Sequence, residues 1–270
     1  MRRFGFTIIE LLVALAIIAV ITGLLIPALR VGRLKARAVV CSSNIKQMLN
    51  LLTIYEQQNG IFPYGFDDSI VLSAVPTESY PGNPSLDKVG KWWFQYLGYI
   101  YEANAKAEND SIFWCPSRCI KDPTPKRNIL CGNYGVNRSI CKDLPGPFGI
   151  IGSEYVGTPL SLSGISHPES ILLVVDSGYS LISWQGATNA NIHPFETKRE
   201  SSFYVPGLEV NKQRVLLPDN KNDAIGGRHI WKTVNVGYAD NHAERLKAEK
   251  LFVPEKNGTY TNIYQTWIPK

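Results

Sequence analysis

The cysteines of this chain have the greatest capacity for covalent or metal chemistry. There are five, Cys41, Cys115, Cys119, Cys131 and Cys141. The last four could form a four-thiolate zinc site, since thiolate sulfur is a preferred zinc ligand. In an oxidising compartment the same residues form disulfides instead. We expect two bridges rather than zinc, because the apolar segment described below places all five outside the cytoplasm. The odd number leaves at least one thiol over, and the pairing stays open.

A set of histidine and aspartate residues near the C-terminus is the second candidate for metal chemistry. His229 precedes a predicted strand, and the Asp240-Asn241-His242 segment follows it. Imidazole and carboxylate groups are common zinc ligands. We favour a hydrogen-bonded hairpin turn over a metal site, because no third and fourth ligand is adjacent. Other acidic residues lack the spacing of a calcium loop. We therefore expect no cofactor.

Motifs of hydrolytic and phosphate chemistry are missing from the sequence. It contains no Gly-x-Ser-x-Gly elbow, no Cys/His protease signature and no P-loop. The acidic residues are scattered, so nothing supports a paired-carboxylate hydrolase. We expect a protein that is not an enzyme.

An isolated carboxylate near the N-terminus, Glu10, lies within an apolar run from Phe6 to Ile26. The run has 21 residues, and at about 1.5 Å per residue it spans roughly 31 Å, the thickness of a bilayer core. It is longer than the apolar region of a secretory signal peptide and lacks a small-residue cleavage site. An ionisable group in a membrane span is costly and usually functional, so Glu10 is expected to have a charged partner.

Basic residues set the expected topology. Arg2 and Arg3 favour a cytoplasmic N-terminus. Four basic residues on the other side of the apolar run oppose it, namely Arg30, Arg33, Lys35 and Arg37. We expect a single-pass inner-membrane protein whose C-terminal domain is periplasmic or extracellular. The net charge is +5 and the pI about 8.9. The juxtamembrane cluster fits lipid headgroups or subunit contacts better than nucleic acid, so nucleic-acid binding is disfavoured.

The elements that position these groups begin with one long helix. Apolar residues recur at three- and four-residue steps from Leu34 to Tyr55, the spacing of an amphipathic helix. This predicts a helix from about Phe6 to Gln58 that ends at Asn59-Gly60. Its half at 6–29 should lie in lipid and its half at 30–59 on a soluble domain. Pro27 should kink it.

Residues 60–270 are expected to form one extracytoplasmic domain with short elements, because prolines are frequent. Residues 89–103 predict a short aromatic helix on the long helix. Strands are predicted at Ile171–Asp176, Thr233–Ala239 and Tyr260–Trp267. The expected class is α+β, with an antiparallel sheet packed against the long helix and loop-rich insertions.

The N-terminal segment Gly5-Phe6-Thr7-Ile8-Ile9-Glu10-Leu11 resembles the processing site of type IV prepilins and type II secretion pseudopilins. The resemblance implies that residues 1–5 are a leader, that a prepilin peptidase cuts after Gly5, and that the new amino group of Phe6 is methylated. It also implies that the Phe6 amine pairs with Glu10 of a neighbouring subunit during assembly.

A second resemblance covers most of the chain. It is to large-domain prepilin-type proteins whose C-terminal signature is a histidine, nine residues and Asp-Gly. The matching pieces are Cys41-x2-Asn44-Ile-Lys-Gln47, Trp93-x3-Leu97 with Tyr99, Phe113-x-Cys115-Pro-Ser117, Asn133-Tyr-Gly-Val-Asn137, the strand ending at Asp176, and Arg228-His229 leading to Ala239-Asp-Asn-His242. It implies a bridge between Cys41 and Cys115. The signature departs here, with ten intervening residues and Asn241 in place of glycine, a residue that tolerates the same left-handed turn.

These observations predict a processed, membrane-anchored pilin-like subunit of a type II secretion pseudopilus or a type IV pilus-like filament. Its expected partners are prepilin peptidase, other pilin or pseudopilin subunits, an inner-membrane assembly platform and membrane lipid. The competing hypothesis is a single-pass anchored domain that binds metal, sugar or protein and does not polymerise.

Overall fold

The structure, a computed structural model, describes the following parts of the chain: residues 7–67, 69, 90–98, 111–117, 129, 133–144, 154–177, 180–184, 229–230, 233–251, 253, 255–256, 259–260 and 266–269. The predicted leader, Gly5 and Phe6 therefore lie outside the described residues, as do Cys119 and Cys131.

The N-terminal helix α1, Ile8–Asn59, is 52 residues long and continuous through Pro27. Thr7 caps its first turn. At the other end Gly60 adopts the left-handed conformation with φ of 76°, and its N–H donates to the carbonyl of Glu56. Glycine adopts this conformation without a Cβ penalty, so it ends helices efficiently. The predicted end at Asn59-Gly60 is confirmed.

The two halves of α1 have different surroundings. Large apolar side chains from Ile8 to Val31 are exposed, with Ile8 at 78% and Leu24 at 74%. From Ala38 onward one face is buried against the domain, through Ala38, Cys41, Asn44, Ile45, Met48, Leu49 and Leu52. The switch from apolar on all sides to apolar on one side thus coincides with the point where α1 meets the domain.

A five-stranded sheet forms the centre of the domain. Its strands are β3 (Tyr134–Asn137), β4 (Leu172–Asp176), β5 (Leu181–Ile182), β6 (Thr233–Tyr238) and β7 (Ala243–Lys247). Their order is β5-β3-β4-β6-β7. All neighbours are antiparallel except β3 and β5, which are parallel. The α+β class is confirmed, with the correction that the sheet is mixed at one edge.

Short elements complete the described fold. They are β1 (Phe66–Asp67), β2 (Lys91–Trp92), α2 (Trp93–Tyr96), β8 (Glu255–Lys256), β9 (Thr259–Tyr260) and 3-10 turns at Leu162–Gly164 and Ala248–Leu251.

The aromatic segment after residue 89 differs from its prediction. Trp92 pairs with Phe66 across β1 and β2, so the helix starts only at Trp93 and has four residues. It does contact α1, since the rings of Tyr55 and Tyr96 lie 5.8 Å apart, edge to face. Ladder hydrogen bonding to β1 therefore replaces the first turn of the predicted helix, whose end lies outside the described residues.

The predicted C-terminal strand, Tyr260–Trp267, is described only at its two ends. β9 ends at Tyr260, and residues 261–265 lie outside the described residues. Trp267 is buried rather than part of that strand, and its indole N–H donates to the Leu251 carbonyl at 3.0 Å.

Candidate functional site

The N-terminal turn of α1 combines the carboxylate of Glu10 with a capping box. Glu10 Oε2 accepts hydrogen bonds from the Thr7 backbone N–H and hydroxyl, both at 2.8 Å, and the Glu10 N–H donates to Thr7 Oγ1 at 3.3 Å. This reciprocal pairing of a threonine with a glutamate three residues later satisfies N–H groups that the helix leaves without partners. Glu10 thus has a local structural role in addition to its charge.

The first half of α1 is the chain's extended apolar surface. Among the described residues, Ile8–Asn59 is the one helix long and apolar enough to cross a membrane. The hydroxyl of Thr22 does not leave an unpaired donor on this surface, because it donates to the carbonyl of Ile18 within the helix at 2.8 Å. An apolar surface of this size requires lipid or other subunits to cover it.

A second group of functional side chains is buried where α1 meets the domain. Ligand atoms of Cys41, Cys115, Asp176 and His229 all lie within 4.8 Å of one another, and all four residues are buried. The Sγ atoms of Cys41 and Cys115 are 2.9 Å apart, and His229 Nε2 is 2.7 Å from Asp176 Oδ2. The two cysteines that the family resemblance pairs are therefore brought together.

Electrostatics in this group favour the protonated form of the Cys41 thiol. The adjacent Cys115 thiol and burial raise the pKa of Cys41. Burial, followed by the charges of Cys115, Cys41 and Asp176, raises the pKa of Tyr134 well above its ordinary value. Several groups that would carry negative charge thus share one desolvated position.

The other sequence candidates lie elsewhere. His229 pairs with Thr233 before β6, whereas Asp240 and His242 lie in the turn after it. In that turn Asp240 Oδ1 accepts from the His242 N–H at 3.1 Å, and the His242 ring stacks on Tyr238 at 4.3 Å. The structure therefore does not bring His229 together with Asp240 and His242. Cys141 is buried and lies apart from Cys41 and Cys115, and Asp143 is its charged neighbour.

Comparison with known proteins bears on the N-terminal segment. The family model for the prokaryotic N-terminal methylation motif matches residues 1–26. The chain has a prepilin-type N-terminus. No curated protein and no solved structure matches the chain.

The motif and the long apolar helix together are consistent with the type IV pilin-like family. They indicate a pilin- or pseudopilin-like protein of the prepilin-processed type, anchored in a membrane by its N-terminal helix. The prepilin-type N-terminus also implies processing by prepilin peptidase and association with other pilin subunits, and it suggests a structural subunit rather than an enzyme.

Sequence reasoning missed one residue of the buried group, Asp176, which it assigned only as the end of a strand. It also did not single out Asn235, whose backbone N–H donates to Asp176 Oδ2 at 2.7 Å and whose amide nitrogen lies 2.9 Å from His229 Nε2. The available signal was a carboxylate that ends the apolar run Leu172–Val175, since a charge at the end of a buried strand requires a partner. The partner itself, His229, is 53 residues away.

Proposed function

We propose that this chain is a membrane-anchored subunit that assembles through its N-terminal helix into a type II secretion pseudopilus or a type IV pilus-like filament. Prepilin peptidase removes residues 1–5 and methylates Phe6. The domain then lies on the periplasmic or outer side of the inner membrane. The match of residues 1–26 to the N-terminal methylation motif is the observation on which this proposal depends.

The surface of α1 supports an assembly function. Its apolar side chains from Ile8 to Ile26 are exposed on all sides, so the same surface can contact lipid before assembly and neighbouring helices after it. Inside such a helix bundle a lone carboxylate is unfavourable without a cation. The amino group of Phe6 from an adjacent subunit supplies that cation, which makes Glu10 a determinant of subunit register.

The experiment separates the charge of Glu10 from its capping role. Glu10→Gln removes the charge, yet glutamine also serves in a capping box. Thr7→Ala removes the cap and keeps the charge. In native cells we expect Glu10→Gln to be processed normally and excluded from filaments, and Thr7→Ala to be processed and incorporated. Sheared-filament fractions and membrane fractions, probed for this chain, give the two readouts.

The outcomes distinguish assembly from the competing anchored domain. If the Glu10→Gln variant enters filaments as wild type does, or if wild-type chain is found only in membranes of cells that produce the filament, the assembly proposal is wrong. A Gly5→Val variant tests processing separately. Mass spectrometry should find Met1 at its N-terminus, whereas wild type should begin with methylated Phe6.

A further inference from the structure

We propose that Cys41, Cys115, Asp176 and His229 bind one zinc ion that joins the membrane-proximal helix to the domain. The proposal concerns the folded half of the chain and does not depend on processing or filament assembly. Cys41 lies on α1, Cys115 in the segment at 111–117 and Asp176 at the end of β4. His229 precedes β6, and its N–H donates to the carbonyl of Thr233, the first residue of that strand.

The donor set fits zinc. Two cysteine sulfurs, one imidazole nitrogen and one carboxylate oxygen match the ligand types of tetrahedral zinc sites. The ligand atoms lie within 4.8 Å of one another. On a tetrahedral zinc ion two thiolates are about 3.8 Å apart, given Zn–S bonds of about 2.3 Å. The observed 2.9 Å between Cys41 Sγ and Cys115 Sγ requires an adjustment of about 1 Å, within the reach of two side-chain rotations.

The contacts of His229 hold its ring next to the other proposed ligands. Asn235 Nδ2 lies 2.9 Å from His229 Nε2 and 3.3 Å from the Ala38 carbonyl, and Arg245 Nε donates to Asn235 Oδ1 at 3.0 Å. These contacts fix the amide orientation and place the Asn235 amide nitrogen toward Nε2. Nε2 also lies 2.7 Å from Asp176 Oδ2 and donates to that oxygen when it carries the ring proton.

Asp176 and His229 are thus close enough to bind the same ion, and a zinc ion there places a positive charge next to the carboxylate. The second nitrogen of the ring, Nδ1, is buried and has no hydrogen-bond partner among the described residues. The ring therefore has a nitrogen to offer whichever way it is oriented.

Outer hydrogen bonds hold Cys115 and Asp176 in place. Asn133 Oδ1 accepts the Cys115 N–H at 3.0 Å, and Asn44 donates to the carbonyl of Trp114 at 3.2 Å. The backbone N–H of Asn235 donates to Asp176 Oδ2 at 2.7 Å. Such support around the first ligands is typical of metal sites.

Binding proceeds with loss of the two thiol protons to solvent, and the two positive charges of zinc offset two of the three negative charges of the thiolates and the carboxylate, which the apolar surroundings would otherwise disfavour. Four protein ligands fill a tetrahedral site, so the ion is structural and has no position for a substrate. It therefore links α1 to the sheet. A disulfide between Cys41 and Cys115 is the competing arrangement and would leave Asp176 and His229 without a role as ligands.

The test uses the full-length chain purified in detergent without chelators, incubated with equimolar Zn²⁺ and dialysed against metal-free buffer. Elemental analysis should find about one zinc per chain, as expected for a mononuclear structural site. Mass spectrometry after alkylation under denaturing, non-reducing conditions should find Cys41 and Cys115 labelled. A Cys41–Cys115 disulfide peptide, absence of zinc, or stoichiometric iron or copper instead would overturn the proposal.

Variants locate the ion. Cys41→Ser and His229→Gln should lose most of the bound zinc, whereas Cys141→Ser, a buried cysteine outside the group, and His242→Gln, an exposed histidine, should retain it. Since a ligand variant can fail to fold, zinc X-ray absorption of the wild-type protein gives an independent readout. We expect two sulfur and two nitrogen or oxygen neighbours, and a shell without sulfur would show that zinc binds elsewhere.

Discussion

Gly237 in β6 lies directly against Leu49 of α1. A Cβ atom placed on Gly237 would come 2.8 Å from Leu49 Cδ1 and 2.8 Å from Ile45 Cγ2. These separations are well below ordinary contact distances between carbon atoms. The absence of a side chain at this position therefore sets how closely the sheet approaches α1, and it allows two residues of the helix to fill the space.

Gly237→Ala should therefore destabilise the domain. The added methyl group forces Ile45 and Leu49 away from the sheet, and overpacking of this kind costs about 1–3 kcal/mol. Urea unfolding of the detergent-solubilised protein measures the loss. Gly164→Ala is the matched control, because its Cβ would meet only Ser161 Oγ at 3.4 Å. Equal stability of both variants would contradict the close packing described here.

The turn after β6 predicts that substitutions at Asn241 differ in how much they destabilise the protein. This residue has φ of 74°, a conformation that costs most non-glycine residues about 1–2 kcal/mol. Its side chain also donates to Asn50 at 3.0 Å, and it accepts a hydrogen bond from Lys46 at 3.2 Å. Asn241→Gly should lose only these contacts, whereas Asn241→Ala should lose them and add the backbone strain.

Thermal unfolding should therefore rank wild type first, Asn241→Gly second and Asn241→Ala last. A second substitution, Asn50→Ala, isolates the side-chain contact, since it removes the acceptor and leaves the turn unchanged. If Asn241→Ala is as stable as Asn241→Gly, the left-handed turn is not the constraint at this position.

The stability of the domain should decrease in acid through Asp67. Burial opposes ionisation of this carboxyl, but hydrogen bonds from Ser69 and Tyr96 outweigh it and lower the pKa. Tyr96 Oη donates to Asp67 Oδ2 at 2.6 Å. Because the folded-state pKa is below the unfolded one, the stabilisation is fully present above the ordinary value of about 3.9 and is lost as the pH falls through the folded-state pKa.

Urea unfolding between about pH 2 and pH 7 measures this dependence. Asp67→Asn should lower stability near neutral pH and flatten the acid limb. Tyr96→Phe should give an intermediate slope, because removal of one hydrogen bond to the carboxylate raises the pKa of Asp67 toward its ordinary value. Identical acid limbs in all three proteins would exclude Asp67 as a source of the pH dependence.

Asn44 connects three segments and should be hard to replace. Its buried amide donates to the Trp114 carbonyl and to the Tyr134 hydroxyl, both at 3.2 Å. Asn44→Ala leaves these buried acceptors without their donor, at a cost of about 1–3 kcal/mol. Gln47→Ala is the control, since Gln47 is exposed and, among the described residues, its side chain bonds to Ser43 of the same helix. Chemical unfolding should show a loss for Asn44→Ala alone.

Local signals in the sequence were sufficient to predict the long helix. The length of the apolar run, the change to one-sided periodicity after Leu34 and the glycine at position 60 all depend on neighbouring residues, and the helix ends where they indicate. The strands at Leu172–Asp176 and Thr233–Tyr238 were predictable for the same reason, since a short apolar run between turn residues is a local pattern. The motif at residues 1–26 is local as well.

Contacts between segments far apart in the sequence decided features that the sequence predicts only one segment at a time. The aromatic segment became strand before helix because Trp92 found Phe66 as a partner. His229 was grouped by sequence with Asp240 and His242, yet it lies against Asp176 and the cysteines of two other segments. Contacts between residues 53 and 74 positions apart leave no periodic trace in the sequence. Only the packing of α1 on the sheet brings such residues to one place.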